Sequence, residues 1–112
     1  MINVRTIQDI VTQCLDDSKE WFPDVAESLT HHCLALAGEV GELCNVVKKV
    51  ERGSVDEVSA RQMLRDETAD VFIYLCNVAA VLGMDLEAEY DIKRSFNARR
   101  FGRDDAGIRQ GV

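Results

Sequence analysis

Residues 34–43 read LALAGEVGEL and residues 66–75 read DETADVFIYL, and these two stretches decide the fold. Leu36, Glu39, Val40, Glu42, Leu43 and Val47 recur 28 positions later as Leu64, Glu67, Thr68, Asp70, Val71 and Leu75. In each stretch the apolar residues repeat by threes and fours, the spacing of an amphipathic helix. Each also carries two acids three residues apart, Glu39-x-x-Glu42 and Glu67-x-x-Asp70. That spacing stacks both carboxylates on one helix face.

The first pattern extends along Leu29, Cys33, Leu36, Val40, Leu43, Val47 and Val50, a seam that alternates by four and three. The second extends along Leu64, Thr68, Val71, Leu75, Val78 and Leu82. On these seams Glu39 falls at the edge and Glu42 slightly beyond it. An earlier segment has Ile7, Ile10, Val11, Cys14 and Leu15 as its apolar stripe. Pro23 is the only proline, and strand-like alternation is absent. The pattern predicts four helices, at 4–20, 25–52, 59–82 and 86–101. Trp21, Phe22 and Pro23 form a corner, with Asp24 or Ser28 as the cap of the second helix. Gly53 and Gly83 are the expected helix stops. The expected fold is all-α, an antiparallel four-helix bundle-like domain over residues 1–101, with a flexible tail at 102–112 rich in glycine and charge. The run VFIYLCNVAAVLGM is apolar on nearly every face. More apolar surface than one small bundle can cover, at Phe72, Ile73 and Cys76, predicts a homodimer or homotetramer.

The chain has 112 residues and a formal net charge of −7, and the four motif acids supply four of those charges. That balance argues against nucleic acid and against an anionic membrane as partners. The N-terminus lacks the apolar core of a signal peptide, and no apolar run reaches the roughly 20 residues of a membrane span. Cys14, Cys33, Cys44 and Cys76 form no C-x-x-C pair and read as buried free thiols, which points to a cytoplasmic protein.

Two antiparallel helices bearing these motifs would gather four carboxylates in a small space. Like charges at about 4 Å repel by several kcal/mol at an effective dielectric near 20. A divalent cation relieves that repulsion, and an all-oxygen donor set suits Mg²⁺ first and Mn²⁺ next. For a single E-x-x-E a solvated helix flank would be the better reading; two matched pairs shift the balance to metal. Gly38 and Gly41 interrupt an otherwise strong helix at about 1 kcal/mol each, and close helix approach beside the acids would explain them. His32, seven residues before Glu39, lies on nearly the same line, while His31 aligns with Glu42. Near the C-terminus Lys93, Asn97 and Arg100 share a helix face. Triphosphate oxygens require such a face, although cations also favour a helix C-terminus for its dipole alone.

The arrangement LALAGEVGEL…DETADVFIYL…KRSFNARRF resembles the MazG-like family of all-α nucleoside triphosphate pyrophosphohydrolases, related to dimeric dUTPases and dCTP pyrophosphatases. The likeness covers residues 28 to 101. It rests on E-x-x-E followed by E-x-x-D and, near the end, K-x-x-x-N-x-x-R, here Lys93, Asn97 and Arg100. The resemblance implies that Glu39, Glu42, Glu67 and Asp70 bind Mg²⁺, and that a nucleoside triphosphate is cleaved between its α and β phosphates. It implies phosphate or sugar contacts from Lys93 and Asn97. It also places Trp21 and the region of His31 and His32 near the nucleotide, although the residues alone favour Trp21 as a hydrophobic staple at the corner. Glu39 or Glu42 is the expected catalytic carboxylate. Phosphoribosyl-ATP pyrophosphohydrolase shares the fold and chemistry and is the alternative substrate reading. A non-catalytic helical oligomerisation module is the alternative from another class. A di-iron bundle would need Glu-x-x-His pairs, which neither motif has.

Overall fold

The computed structural model describes residues 4–102, and the expected loose tail lies, from residue 103 on, outside them. Four helices follow in order: α1 (Ile7–Trp21), α2 (Leu29–Glu51), α3 (Glu57–Leu82) and α4 (Leu86–Phe101). The described residues contain no strand. Thr6 and Asp9 form a capping box at the start of α1, each side chain bonded to the other's backbone N–H. Ser28, not Asp24, caps α2 by accepting from the His31 amide at 3.1 Å. The chain between Pro23 and Glu27 is therefore turn, and α2 starts four residues later than the apolar pattern alone suggested. Asp56 caps α3 in the same way, accepting from Ser59 N at 2.9 Å, and Asp85 caps α4. Gly83 ends α3 at φ 64, a left-handed conformation that a side chain would strain.

The architecture is the expected all-α, bundle-like one, built on a long antiparallel hairpin of α2 and α3. α1 packs on the C-terminal half of α3. Val11 and Cys14 of α1 meet Cys76 and Ala79 of α3 there, with Ile10, Ala80, Met84 and Leu86 around them. Cys76 is fully buried in this core, so it does not belong to a subunit surface with Phe72 and Ile73 as its sequence neighbours suggested. Burial pushes the Cys14 thiol up and holds Cys76 at about 11, which keeps both protonated and inert. Cys33 and Cys44, in contrast, are exposed on α2. α4 leaves the end of α3 at 102° and packs substantially only on α1. It buries no residue of its own.

The seam between α2 and α3 keeps half of the expected positions and moves the other half by one residue on each helix. Along α2 the covered positions are His32, Leu36, Glu39, Leu43, Val46 and Val50, while Cys33, Val40 and Val47 are exposed. Along α3 they are Ala60, Leu64, Glu67, Asp70, Val71, Tyr74 and Val78, while Thr68, Leu75 and Leu82 are exposed. Because the other positions are shared, each helix is turned by about 50°, half of what one whole residue spans. Because the helices are antiparallel, both steps turn to the same side of the hairpin. Val40 and Val47 of α2 and Leu75 and Leu82 of α3 thus face outward on one common side, while Leu36, Leu43, Val50, Leu64, Val71 and Val78 stay in the seam beside Glu39 and Glu67. Glu39, Glu67 and Asp70 consequently sit within the seam, and Glu42 stays beyond it as the spacing indicated.

Candidate active site

Glu39 comes from the middle of α2, and Glu67 and Asp70 from the middle of α3. One carboxylate oxygen from each lies within 4.8 Å of the other two, and all three residues are half-buried. Glu42, one turn beyond Glu39, is exposed. It stands close enough to act electrostatically on Glu67. The Glu67 carboxyl is pushed up to about 7. Loss of solvent is the largest cause, followed by hydrogen bonding with Glu39 and the charges of Glu42 and Glu39. Its Oε2 is buried with no hydrogen-bond partner. Among the described residues the only ion pair is Arg61–Glu57 on the surface, so no lysine or arginine neutralises the cluster. A buried acceptor without a donor, in a group of carboxylates without a cation, is the environment a hard divalent ion completes. The donors are all oxygen, which fits Mg²⁺ or Mn²⁺ and not a thiolate- or imidazole-seeking metal.

Asp70 also lines a cavity of about 250 Å³ that continues from the acids toward the end of α3. α1 contributes Cys14, Asp17, Ser18, Trp21 and the adjoining Phe22, α2 contributes His31 and His32, and α3 contributes Ile73, Tyr74 and Asn77. His32 is buried. Its Nε2 lies 2.8 Å from the carbonyl oxygen of Ala26, an acceptor, so that nitrogen carries the proton. The ring is then held with Nδ1 as an acceptor, and Nδ1 is buried without a partner. His32 stands edge-on to His31, with centroids 5.2 Å apart, and faces Tyr74 at 6.3 Å. Trp21 is 63 % exposed at the cavity wall and does not pack as a staple at the corner. Ser18 donates to Asn77 Oδ1 at 3.4 Å across the α1–α3 contact, and both are buried.

Asp17, Ser18, Tyr74 and Asn77 were not singled out by the sequence reading. Tyr74 and Asn77 follow Asp70 by four and seven residues and so share its face of α3. Asn77 is also the one polar residue within the apolar run, and that interruption was its available signal. Gly38 and Gly41 serve no close approach within the chain, because a Cβ at either would meet nothing within 4 Å. Lys93, Asn97 and Arg100 are all exposed on α4 and are not brought to the acidic cluster of their own chain. Lys93 Nζ lies 5.1 Å from the ring centre of Phe96, and the Arg100 guanidinium 4.6 Å from that of Phe101.

Fold and site define an all-α protein that gathers carboxylates between two antiparallel helices, next to a cavity walled by aromatic and amide side chains. The model of the MazG nucleotide pyrophosphohydrolase domain matches residues 27–98, and the chain belongs to this family. The matched segment holds α2, α3 and most of α4, with all four acids, Lys93 and Asn97; α1 with Trp21 lies before it. Comparison with curated proteins gives no match. No single helix among the described residues is long and apolar enough to cross a membrane.

Proposed function

We propose that the chain hydrolyses a (deoxy)nucleoside triphosphate between its α and β phosphates, releasing a monophosphate and pyrophosphate. The observation that carries this reading is the convergence of Glu39, Glu67 and Asp70 oxygens within 4.8 Å, with Asp70 shared by the adjoining cavity. Phosphates would lie over the acids and the nucleoside would enter the cavity. Mg²⁺ held by Glu39, Glu67 and Asp70, with Glu42 at their flank, would neutralise charge on the phosphate oxygens. Glu42 lies outside the tightest group of three and faces solvent, which supports Glu42 over Glu39 as the carboxylate that would orient the attacking water and accept its proton. The water oxygen bonds to a phosphorus flanking the α–β bridge, the bridging P–O bond breaks, and pyrophosphate leaves. Trp21 would cover the base, and His32 Nδ1 and the Asn77 amide would offer it an acceptor and a donor. Lys93, Asn97 and Arg100 would hold phosphate or sugar.

The working form is an oligomer of this chain in the cytoplasm. The outward face of the hairpin carries Val40, Val47, Phe72, Leu75 and Leu82, each between 38 and 51 % exposed. No leucine, isoleucine or phenylalanine is among the buried core residues described. A second copy presenting the same two-helix face would bury both. Incubation with each triphosphate and Mg²⁺, with the products identified, tests the activity. Monophosphate plus pyrophosphate is expected; diphosphate plus phosphate would refute it.

A further inference from the structure

We infer that Asp17 of α1 selects the base, and that it restricts the substrate to triphosphates whose base carries an exocyclic amino group; this rests on the pyrophosphohydrolase reading of the cavity. α1 lies before the segment that the family model matches, so the match does not carry the choice of base. Asp17 is half-buried in the cavity wall, beside Ser18 and Trp21. Gln13, one turn earlier on α1, donates from Nε2 to Asp17 Oδ1 at 2.8 Å. That bond steadies the carboxylate and leaves Oδ2 without a partner among the described residues. Among those residues no lysine or arginine lines the cavity. An aspartate carboxylate only accepts, so Asp17 calls for an N–H from whatever fills the space.

The other groups of fixed polarity point the same way. His32 is 3 % exposed, and its Nδ1 is a second acceptor, closed to water and without a donor. Ser18 donates to Asn77 Oδ1, so Asn77 Nδ2 remains as a donor. The Tyr74 hydroxyl and the His31 ring can each donate or accept, and so reject no base. The Trp21 N–H belongs to an exposed side chain that water can serve. The fixed groups are therefore two acceptors and one donor. Uracil and thymine offer a single N–H between two carbonyls. Either would leave one acceptor empty and bring a carbonyl oxygen to a carboxylate. In cytosine and adenine the amino group supplies two hydrogens beside a ring nitrogen that accepts, and guanine supplies imino and amino hydrogens beside O6. A site built to accept N–H groups rejects analogues that lack them, because its own acceptors are then left unpaired. Asp17 is only half-buried, which limits the rejection to about tenfold to a hundredfold in kcat/KM.

Two substrate pairs isolate the amino group. dCTP and dUTP differ by an amino group against a carbonyl, with the adjacent ring nitrogen changing from acceptor to donor, and so do dATP and dITP. With Mg²⁺, kcat/KM should favour the amino member by about tenfold or more in at least one pair, and the pair that shows it names the ring as pyrimidine or purine. Asp17→Asn offers an amide that can turn its NH₂ toward a carbonyl. The ratio should then collapse toward one, through gain on the keto member as well as loss on the amino member. A role of Asp17 in folding alone would lower both members alike and leave the ratio unchanged. Titration calorimetry with the α,β-imido analogues of the same four nucleotides reads the ratio without turnover. Binding with no amino preference in either pair, or a preference that Asp17→Asn keeps, would overturn the role of Asp17 and leave the pyrophosphohydrolase reading standing. If none of the four analogues binds, both fall together.

Discussion

Glu67 makes metal affinity depend on pH in a way that can be worked out in advance. Its carboxyl is held at about 7 in the folded protein against 4.5 for a free glutamate. A divalent ion binds the carboxylate form, so binding must displace whatever proton Glu67 carries. With a pKa of about 7, the apparent dissociation constant is multiplied by about 11 at pH 6, about 2 at pH 7 and about 1.1 at pH 8. Affinity for Mn²⁺ should therefore rise about tenfold from pH 6 to pH 8, a window in which an ordinary carboxylate is fully ionised. Between pH 4.5 and 7 the metal-free folded state holds a proton that the unfolded state has released. By linkage its stability falls as pH rises through that window and levels off above it. Isothermal titration with Mn²⁺ at pH 6, 7 and 8 measures the first effect, and thermal melts without metal measure the second. Glu67→Gln should weaken binding, flatten both profiles and raise the melting temperature of the metal-free protein at pH 8. Equal affinity at pH 6 and pH 8 would refute the argument. So would a Glu67→Gln protein that keeps the tenfold rise, because the titrating group would then be elsewhere.

The other predictions concern the remaining acids, the outward face and the core. Glu39→Gln and Asp70→Asn should each lower turnover about a hundredfold or more while the helical circular dichroism stays intact, and wild-type turnover in both would remove the metal site. Leu75→Asp places a charge on the outward face, so sedimentation should show the wild-type oligomer dissociating; a wild type that is monomeric at micromolar concentration would contradict the assembly. Val11→Ala removes two methyl groups from a side chain 1 % exposed and should cost about 2 kcal/mol, near 8 °C in melting temperature, with an unchanged melt counting against the α1–α3 core.

Helix number, helix type and the four acids were legible in the sequence because a 3.6-residue period and an i, i+3 acid pair are local properties. The face each helix turns to its neighbour was not. A periodicity reading centres on the most apolar stripe, and here one edge of that stripe, Val40 and Val47 on α2 and Leu75 and Leu82 on α3, is exposed in the single chain. The stripe that closes the hairpin is poorer in apolar residues because it contains Glu39, Glu67 and Asp70. A helix with a functional seam on one side and an association seam next to it shows both in its sequence, and burial strength alone ranks the association seam first. The early start predicted for α2 has a similar origin. Val25 and Ala26 continue an apolar pattern, but the Ser28 side chain caps the helix at the His31 amide, and the turn before it brings the Ala26 carbonyl to His32 Nε2. The cavity walls were hidden for another reason: Asp17 and Ser18 reach Asp70 and Asn77 only through the packing of α1 on α3, a contact between residues about 59 positions apart. The partial turn of the seam ties these points together. A hairpin centred on its apolar stripes would hide them and leave the acids on a solvated flank, where carboxylates repel weakly and have little need of a metal. Turning it toward the acids desolvates Glu67 and leaves its Oε2 without a donor. It also leaves Val40, Val47, Leu75 and Leu82 exposed. Metal affinity and self-association are therefore two consequences of one rotation, and a substitution that returned Val40 and Leu75 to the seam would be expected to weaken both.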